Sequence, residues 1–508
     1  MKKHLSLLVG VALCSAAQAA SPLAKPNLVL VIADDLGTQL GCYGDKMALT
    51  PRLDRLAEEG VRFANAHVTA ASCSPSRGSM FTGLYPHQHG MFSLAQQNWA
   101  EMHPDVPILP NALKALGYST GIIGKTHYGE KSDFQWDFSE LNGQKTSKDR
   151  DVRWMNKRAA DFLDSVGKDQ PVFLVMSYVD PHRGGGDSGR YGPDRNLKFP
   201  RVKLGLPENP PGPEATIPVD FLAMDGERVR FENSDYYSAV SRLDTGVGEF
   251  LDMLAARGLA ENTLVIVIGD HGPDLTRGKI SSYASATHIP MLVRWPGRAE
   301  PGLVRDELVS TIDLFPTFLA AAGSPDPTPD PRQTGFSMLP LLKPGKVEWR
   351  GMLFTEFIAH VPWFYYPRYT VFDGRYHLIE NVFGGERENP LKGVNFCEAW
   401  WEVQDPRYDG TPIRAVYERV SKPVRLELFD LSVDPFELKN LADDPARAED
   451  LRRLSSAISQ WRESTKDPFL DPAFGKRYED LVAGFKDANE GRERNPPGKT
   501  KKKSEAGE

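Results

Sequence analysis

A nearly continuous apolar run close to the start of the chain, NLVLVIA (Asn27–Ala33), is followed directly by two aspartates, Asp34 and Asp35. A strand with one solvated face would alternate polar and apolar residues, and this run does not. The run therefore predicts a strand that is buried on both faces. Such strands occur mostly in parallel sheets covered by helices, so we expect an α/β fold.

Further segments of the same kind recur along the chain, with helical patterns between them. Strands are predicted at Ser119–Ile123, Val172–Tyr178 and Leu264–Ile268. Helices are predicted after Thr50, which would act as an N-cap, and at Tyr236–Arg257 and Ile312–Ala322. Strands that alternate with helices indicate a large α/β domain, which we place at residues 25–345.

The composition changes beyond that point, where aromatic and β-branched residues become frequent. A strand is predicted at Leu426–Leu431 and a closing helix at Ala446–Thr465. We therefore expect a smaller α+β domain at residues 346–475, with an antiparallel sheet and this helix. Residues 491–508 are charged and poor in apolar side chains, which is typical of a disordered tail.

The N-terminus has the pattern of a secretory signal peptide. Lys2 and Lys3 precede an apolar stretch, Leu5–Leu13, and small residues follow at Ala17–Ala20. The stretch is too short to span a bilayer, and no later segment suits a membrane span. We expect residues 1–20 to be removed and the protein to be secreted or periplasmic. The net charge of -7 argues against nucleic acid as a partner.

The cysteines are few for an exported chain. Cys14 lies in the predicted signal peptide, which leaves Cys42, Cys73 and Cys397. Because this number is odd, at least one thiol is unpaired unless the chain is cross-linked. Cys42 and Cys397 could form one disulfide, and the free thiol of Cys73 would then need a role of its own.

Charged and imidazole side chains are concentrated directly after the predicted strands. In an open α/β sheet, ligands bind beyond the carboxyl ends of the strands, so these side chains are expected to share one site. The candidates are Asp34, Asp35, Lys125, His127, His182, Asp270 and His271.

Several of these candidates suit a metal ion. Adjacent carboxylates such as Asp34 and Asp35 repel each other unless a cation offsets their charge. Asp270 adds a third carboxylate and His271 an imidazole. Carboxylate oxygens favour a hard cation such as calcium or magnesium, whereas imidazole favours softer metals. The sequence thus predicts a metal site and leaves the identity of the metal open.

Cys73 begins the segment CSPSR, which ends at Arg77 and is followed by Thr82 and Gly83. By itself the segment offers a thiol, a proline near a helix start, and a guanidinium that can bind a tetrahedral oxyanion through two hydrogen bonds. The full pattern, C-x-P-x-R with T-G downstream, resembles the signature of the type I sulfatases, the formylglycine-dependent family within the alkaline phosphatase superfamily.

Other segments resemble the same family. They include GKTH (Gly124–His127), DHG (Asp270–Gly272) and ELFDLSVDPFELKNLADDP (Glu427–Pro445), so the resemblance covers nearly the whole chain. Within the family, SCSPSRGSMFTGLYPHQHGM and DPHRGG are most similar to the heparan sulfamidases, the N-sulfoglucosamine sulfohydrolases. The pattern departs from its relatives at four positions, which are His89, Lys279, Ala284 and His288.

The resemblance implies an alkaline phosphatase-like fold, with a large mixed, mostly parallel sheet between helices. It implies that Cys73 is oxidised to formylglycine (3-oxoalanine) by a partner, either a formylglycine-generating enzyme or an anaerobic sulfatase-maturating enzyme. It also implies a bound Ca²⁺, with Mg²⁺ as the alternative, held by residue 73 together with Asp34, Asp35, Asp270 and His271.

The same resemblance implies roles in the hydrolysis of a sulfate ester, or of an N-sulfate. Arg77 and Lys125 would stabilise the hydrated aldehyde at position 73. His182 and Lys279 would bind sulfate and protonate the leaving oxygen. His127, together with Asp270, would accept a proton when sulfate is expelled.

The implied substrate is a sulfated carbohydrate, such as a glycosaminoglycan. Candidates for contacting the sugar are His87, His89, His288, Glu356 and His360. Two alternatives stay open on the sequence alone. One is a phosphomonoester or phosphonate hydrolase of the same superfamily, and the other is a non-catalytic glycan-binding protein in which Cys73 stays a thiol.

Overall fold

An eight-stranded sheet forms the centre of the larger part of the molecule. The structure, a computed structural model, describes residues 25–95, 99–129, 133–140, 151–183, 211–390 and 397–494, with side chains as far as residue 484. The predicted signal peptide lies outside these residues.

The strands of this sheet lie in the order β4-β3-β5-β1-β6-β7-β2-β8. Of the strands described, β7 alone runs antiparallel to its neighbours, and the other pairings are parallel. The strands are β1 (Asn27–Asp34), β2 (Val61–His67), β3 (Ser119–Gly124), β4 (Phe138–Glu140), β5 (Val172–Pro181), β6 (Thr263–Gly269), β7 (Met291–Arg294) and β8 (Leu303–Ser310).

Helices cover both faces of the sheet, and β1 shows why its sequence has no polar alternation. Leu28, Leu30 and Ile32 pack into one hydrophobic core, while Val29 and Val31 pack into a second core on the opposite face. The helices are α1 (Pro51–Glu58), α2 (Cys73–Thr82), α3 (Pro86–His89), α4 (Leu109–Ala115), α5 (Val152–Ser165), α6 (Glu227–Ala256), α7 (Ala284–Thr287), α8 (Leu314–Ala321), α9 (Glu398–Glu402), α10 (Pro412–Ser421), α11 (Ala448–Ser464) and α12 (Pro472–Arg494).

A second sheet of four antiparallel strands follows the first along the chain, in the order β12-β11-β10-β9. The strands are β9 (Leu353–Phe357), β10 (Arg368–Phe372), β11 (Tyr376–Asn381) and β12 (Leu426–Asp430). The predicted fold class, a mostly parallel mixed sheet between helices with a smaller antiparallel sheet, is confirmed. None of the described helices combines the length and apolarity that crossing a bilayer requires.

Several predicted boundaries need correction. Helix α6 begins at Glu227 rather than Tyr236, because its first turns are rich in charged residues that hide the apolar periodicity. Helix α8 begins at Leu314, after a 3₁₀ turn over Thr311–Asp313. Helix α12 reaches Arg494 and so includes the start of the predicted disordered tail, the rest of which lies outside the described residues.

Thr50 does not cap α1 through its side chain, as the sequence predicted. The carboxylate of Asp244 accepts hydrogen bonds from Arg52 N at 3.1 Å and Leu53 N at 2.8 Å instead. The hydroxyl of Thr50 accepts from Gly41 N at 2.9 Å and donates to Asp54. A distant residue on α6 has therefore taken over the role that local sequence assigned to Thr50.

Candidate active site

The sheet order explains why the candidate residues converge. Strands β3, β5, β1 and β6 are consecutive neighbours, so their carboxyl ends lie side by side. Lys125 follows β3, His182 follows β5, Asp35 follows β1, and Asp270 follows β6. Helix α2 enters the same edge from the loop after β2 and brings Cys73 at its first turn. We call this group of side chains the Cys73 cluster.

Cys73 lies at the N-terminus of α2 and is 1% exposed. Its Sγ is 3.2 Å from His271 Nε2, 3.3 Å from Lys125 Nζ and 3.7 Å from Asp34 Oδ1. The unpaired N–H groups and the dipole at a helix N-terminus favour negative charge there. The position therefore suits a side chain that develops negative charge.

Arg77 lies one turn further along α2 and is fully buried. Its Nε donates to Asp270 Oδ2 at 3.0 Å, and its Nη1 donates to Lys125 O at 3.1 Å and to Ser177 Oγ at 2.6 Å. The guanidinium thus joins α2 to the ends of β3, β5 and β6. No role was predicted for Ser177, although a hydroxyl in the apolar run Val172–Tyr178 was a usable signal.

Asp34 and Asp35 differ in their partners. Lys125 Nζ lies 2.8 Å and 2.6 Å from the two carboxylate oxygens of Asp34, and Lys279 Nζ lies 2.8 Å and 3.1 Å from those of Asp35. Burial opposes ionisation of Asp34, but the charges of Lys125, His182, Arg77 and Lys279 together outweigh it and hold the pKa of that carboxyl well below its usual range. Burial raises the pKa of Asp35 to about 6, against the charge of Lys279.

The backbone of Asp35 is also unusual. Its φ of 67° is in the left-handed region, which Asp adopts more readily than most residues. Its N–H donates to Asp270 Oδ1 at 2.9 Å, so a second carboxylate of the cluster fixes this conformation.

The donor set fits a hard divalent cation. Ligand atoms of Asp34, Cys73, Asp270 and His271 lie within 4.8 Å of one another, as do those of Asp34, Asp35 and His182. His271 Nδ1 is 3.0 Å from Gly272 O, so a neutral ring that donates there presents the Nε2 lone pair to the cluster. Buried carboxylates are the ligands that calcium and magnesium prefer.

His182 and His127 stand at the edge of this cluster. His182 Nε2 is 3.9 Å from Asp35 Oδ2, and its side chain is 32% exposed, so it faces both the cluster and the solvent. Burial and the charge of Lys125 hold the pKa of His127 well below its usual range. A neutral imidazole of this kind is able to accept a proton.

The predicted sugar-contacting residues fall into two groups. His360 is partly exposed, and its Nδ1 lies 2.9 Å from the hydroxyl of Ser72, the residue before Cys73. His288 is also partly exposed, with its Nε2 2.7 Å from Ala64 O, and its predicted contact with the sugar stays a prediction. His87, His89 and Glu356 are instead buried, and for these three the geometry favours a packing role over the predicted substrate-binding role.

Each of these four residues has partners of its own. Glu356 accepts from His87 N and binds His87 Nδ1, both at 2.8 Å. His89 Nε2 is 3.3 Å from Ser79 Oγ, and burial lowers its pKa to about 3. His288 stacks on His67 with ring centroids 5.0 Å apart. For His87 and His89, nearness to the CSPSR segment in sequence did not reveal which way the rings face.

Cys42 and Cys397 are not bonded to each other. Cys42, Cys73 and Cys397 are all free thiols, so the disulfide that the sequence left open does not form. Cys42 N donates to Asp54 Oδ1 at 2.7 Å in the loop before α1. Cys397 is buried next to Arg183, whose Nη2 lies 3.4 Å from its Sγ.

Solved structures share this fold at low sequence identity. A 2-O GAG sulfatase has a TM-score of 0.66 at 21% identity and covers 88% of this chain and 93% of that one. The phosphonate monoester hydrolase of Agrobacterium radiobacter has a TM-score of 0.61 at 18% identity, with 87% and 96% covered. At these identities the likeness shows the fold alone.

Sequence comparison is more specific. The human N-sulphoglucosamine sulphohydrolase is 32% identical over 470 residues, 88% of this chain and 92% of the human protein. An ulvan-active sulfatase of Formosa agariphila is 28% identical over 461 residues, with 89% and 82% covered. The N-sulphoglucosamine sulphohydrolase C-terminal model matches residues 277–391, and the Sulfatase model matches residues 26–324. The chain therefore belongs to the sulfatase family.

Proposed function

We propose that this protein is a sulfatase that releases sulfate from a sulfated carbohydrate, through a formylglycine formed from Cys73 and a bound divalent cation. The observation that carries the proposal is the setting of Cys73. Its Sγ lies at a helix N-terminus, within 3.3 Å of Lys125 Nζ and 3.2 Å of His271 Nε2, among three buried carboxylates.

The residues present fit both groups. Asp34, Asp35, Asp270 and His271 would hold the cation, and we favour Ca²⁺ over Mg²⁺ because a mixed, crowded donor set suits its flexible coordination. When bound, the cation supplies positive charge for sulfate oxygens, and the hydrated aldehyde at position 73 supplies a hydroxyl nucleophile.

The chain's own side chains then orient the reacting groups. Lys125 and Arg77 fix the oxygen-bearing side chain at position 73 and offset its negative charge. Lys279 and His182 flank Asp35, where they can donate hydrogen bonds to sulfate and a proton to the leaving oxygen. His127, held neutral, can take up the proton that must leave position 73.

The carbohydrate class is supported by the relatives. The human relative is named for an N-sulphated glucosamine, and one solved structure of this fold was obtained with D-glucosamine-2-N,6-O-disulfate. His360, partly exposed beside Ser72, is our choice for a residue that contacts the sugar. We also infer that the chain is exported by its N-terminal signal and matured by a separate enzyme that oxidises Cys73.

A direct test combines turnover with chemistry at position 73. Protein produced with a maturation enzyme would be offered defined N-sulfated and O-sulfated saccharides, and sulfate release measured. Mass spectrometry of the peptide that contains residue 73 should show the aldehyde. A thiol at that position in protein that binds sulfated glycans without turnover would favour a binding protein instead. Faster cleavage of aryl phosphate than of aryl sulfate would favour a phosphohydrolase.

A further inference from the structure

We propose that Arg183 is a positioning residue that holds His182 and Lys279 on either side of Asp35. The inference deepens the proposed function, since it concerns the groups that would serve sulfate and the leaving oxygen. It starts from Arg183, which directly follows His182 in sequence. The guanidinium of Arg183 is buried, and its described contacts include neither Cys73 nor Asp34.

Among the described residues, Arg183 contacts three segments that are separate in sequence. Its Nη2 lies 2.6 Å from Glu232 Oε1 on α6, and its Nε donates to the carbonyl oxygen of Asp274 at 2.5 Å. Its Nη2 also lies 3.4 Å from Cys397 Sγ, directly before α9. The side chain is 4% exposed, so these contacts are shielded from competing water.

The contact with Asp274 reaches Lys279 through a tight turn. Lys279 N donates to Pro273 O at 2.8 Å, and Gly278 N donates to Leu275 O at 2.8 Å. A Cβ on Gly278 would lie 2.1 Å from Pro273 O, so the turn has no room to rearrange around a larger residue. Fixing the carbonyl of Asp274 therefore fixes the backbone that presents Lys279 to Asp35.

The same guanidinium also fixes His182 through the adjacent backbone. His182 Nε2 lies 3.9 Å from Asp35 Oδ2, and Lys279 Nζ lies 2.8 Å from the other carboxylate oxygen, Asp35 Oδ1. Arg183 thus holds the backbone behind both groups. A planar fork with five N–H donors can serve three acceptors at once, whereas a lysine ammonium on a flexible stem cannot match that geometry.

The contact also gives Cys397 a role. Its Sγ lies 3.6 Å from the carbonyl oxygen of Asp274, the same oxygen that Arg183 binds. The thiol therefore completes a small network of Arg183, Asp274 and Cys397, in which the carboxylates of Glu232 and Asp274 lie 2.6 Å and 3.7 Å from the guanidinium.

The test uses Arg183→Lys, which keeps the positive charge opposite Glu232, and Arg305→Lys as the matched control. Arg305 is similarly buried and donates to Leu341 O at 2.7 Å and Gly345 O at 2.9 Å, at the end of the sheet that β8 forms. Both variants lose a guanidinium fork, and both are expected to lower the melting temperature.

Kinetics separate positioning from stability. Cleavage of 4-nitrophenyl sulfate needs little protonation of its leaving oxygen, whereas cleavage of a saccharide sulfate needs more. We expect Arg183→Lys to lower kcat on the saccharide about tenfold more than kcat on the aryl ester. This difference is smaller than a typical acid–base contribution, because the acid is displaced and not removed. Arg305→Lys should leave the ratio unchanged. Equal losses on both substrates, or no loss, would overturn the proposal.

A spectroscopic arm does not depend on turnover. With ¹³C-labelled histidine, the ring resonance of His182, assigned from His182→Gln, should shift in Arg183→Lys and Cys397→Ala and stay in place in Arg305→Lys. If the wild-type protein releases no sulfate but this shift occurs, the proposed function fails and the positioning role stands. An unmoved resonance in Arg183→Lys contradicts the positioning role whatever the activity.

Discussion

Two groups of buried charges in the protein are organised in different ways. In the Cys73 cluster, Asp34 is shared between Lys125 and Arg77, and Asp270 binds Arg77 and Asp35 N. In the second group, His87 on α3 pairs with Glu356 on β9. The ring of Trp461 packs edge-on against the ring of His87, with centroids 5.5 Å apart, so an aromatic side chain borders the pair.

The contrast suggests how a buried cluster that could bind an ion differs from a buried ion pair that only links two elements of the fold. In the His87–Glu356 pair, both carboxylate oxygens bind His87, and the pair mainly links α3 to β9. In the Cys73 cluster, ligand atoms of Asp34, Cys73, Asp270 and His271 lie within 4.8 Å of one another, a spacing that suits a bound cation. The following predictions test this distinction, beginning with the largest effect.

Replacing the central side chain of the cluster should abolish turnover. Cys73→Ala removes the precursor of the nucleophile, and we expect sulfate release to fall by about 10⁵-fold or more, as for other nucleophile deletions. The measurement is the initial rate of sulfate release by matured protein. Cys42→Ser, a second free thiol outside the cluster, is the control and should keep the parental rate. Retention of full activity in Cys73→Ala would contradict the assignment.

Removing the metal should affect the Cys73 cluster and leave the His87–Glu356 pair unchanged. Treatment with a chelator is expected to bring activity below about 1% and to lower the melting temperature, because a ligand that binds only the folded state stabilises it. Calcium should restore both quantities, and the same experiment on Asp35→Asn should show a smaller thermal response. Activity that persists in metal-free buffer would rule out the proposed cation.

His182 in the Cys73 cluster and His87 in the pair with Glu356 should respond differently to substitution. His182→Gln is expected to lower kcat on a saccharide sulfate by about 10²–10³-fold, the range of a lost acid–base group. His87→Gln should change kcat less than about threefold and should reduce the unfolding free energy by about 1–3 kcal/mol, because Glu356 loses a buried partner. Steady-state kinetics and urea unfolding of both variants measure these effects. A large kinetic defect in His87→Gln would place that ring in the site.

The smallest effect concerns pH. Burial opposes the charge on His87, but Glu356 outweighs it and raises the pKa of His87 above its usual value. The folded state therefore holds a proton that the unfolded state releases near pH 6.5, so the pair stabilises fully below that pH. Its contribution falls as pH rises through the raised pKa. The stability difference between the parent and Glu356→Gln should thus be larger at pH 6 than at pH 9, and a reversed trend would contradict the ion pair.

Much of the site followed from the position of residues at strand ends. Asp34, Lys125 and Asp270 were predictable because parallel strands end at one edge of a sheet, and Cys73 because its segment is so specific. The orientation of the His87 and His89 rings was not predictable. It depends on contacts with Glu356 and Ser79, which form only when the chain has folded.

Residues whose partners are distant in sequence were the hardest to assign. Arg183 meets Glu232, Asp274 and Cys397, and Ser177 meets Arg77, so neither shows a local pattern. The fold class followed from the apolar run of β1, but the single reversed strand β7 did not. Its short sequence, MLVR, has the same character as that of a parallel strand.

The left-handed backbone at Asp35 also means that two residues of the cluster cannot be studied separately. Replacing Asp270 by Ala would remove a carboxylate and would also release the N–H that keeps Asp35 in its conformation. The loss of activity measured for a single substitution at position 35 would therefore overlap with the loss measured at position 270, because both substitutions disturb the same hydrogen bond. A double-mutant cycle should record a combined defect smaller than the sum of the two.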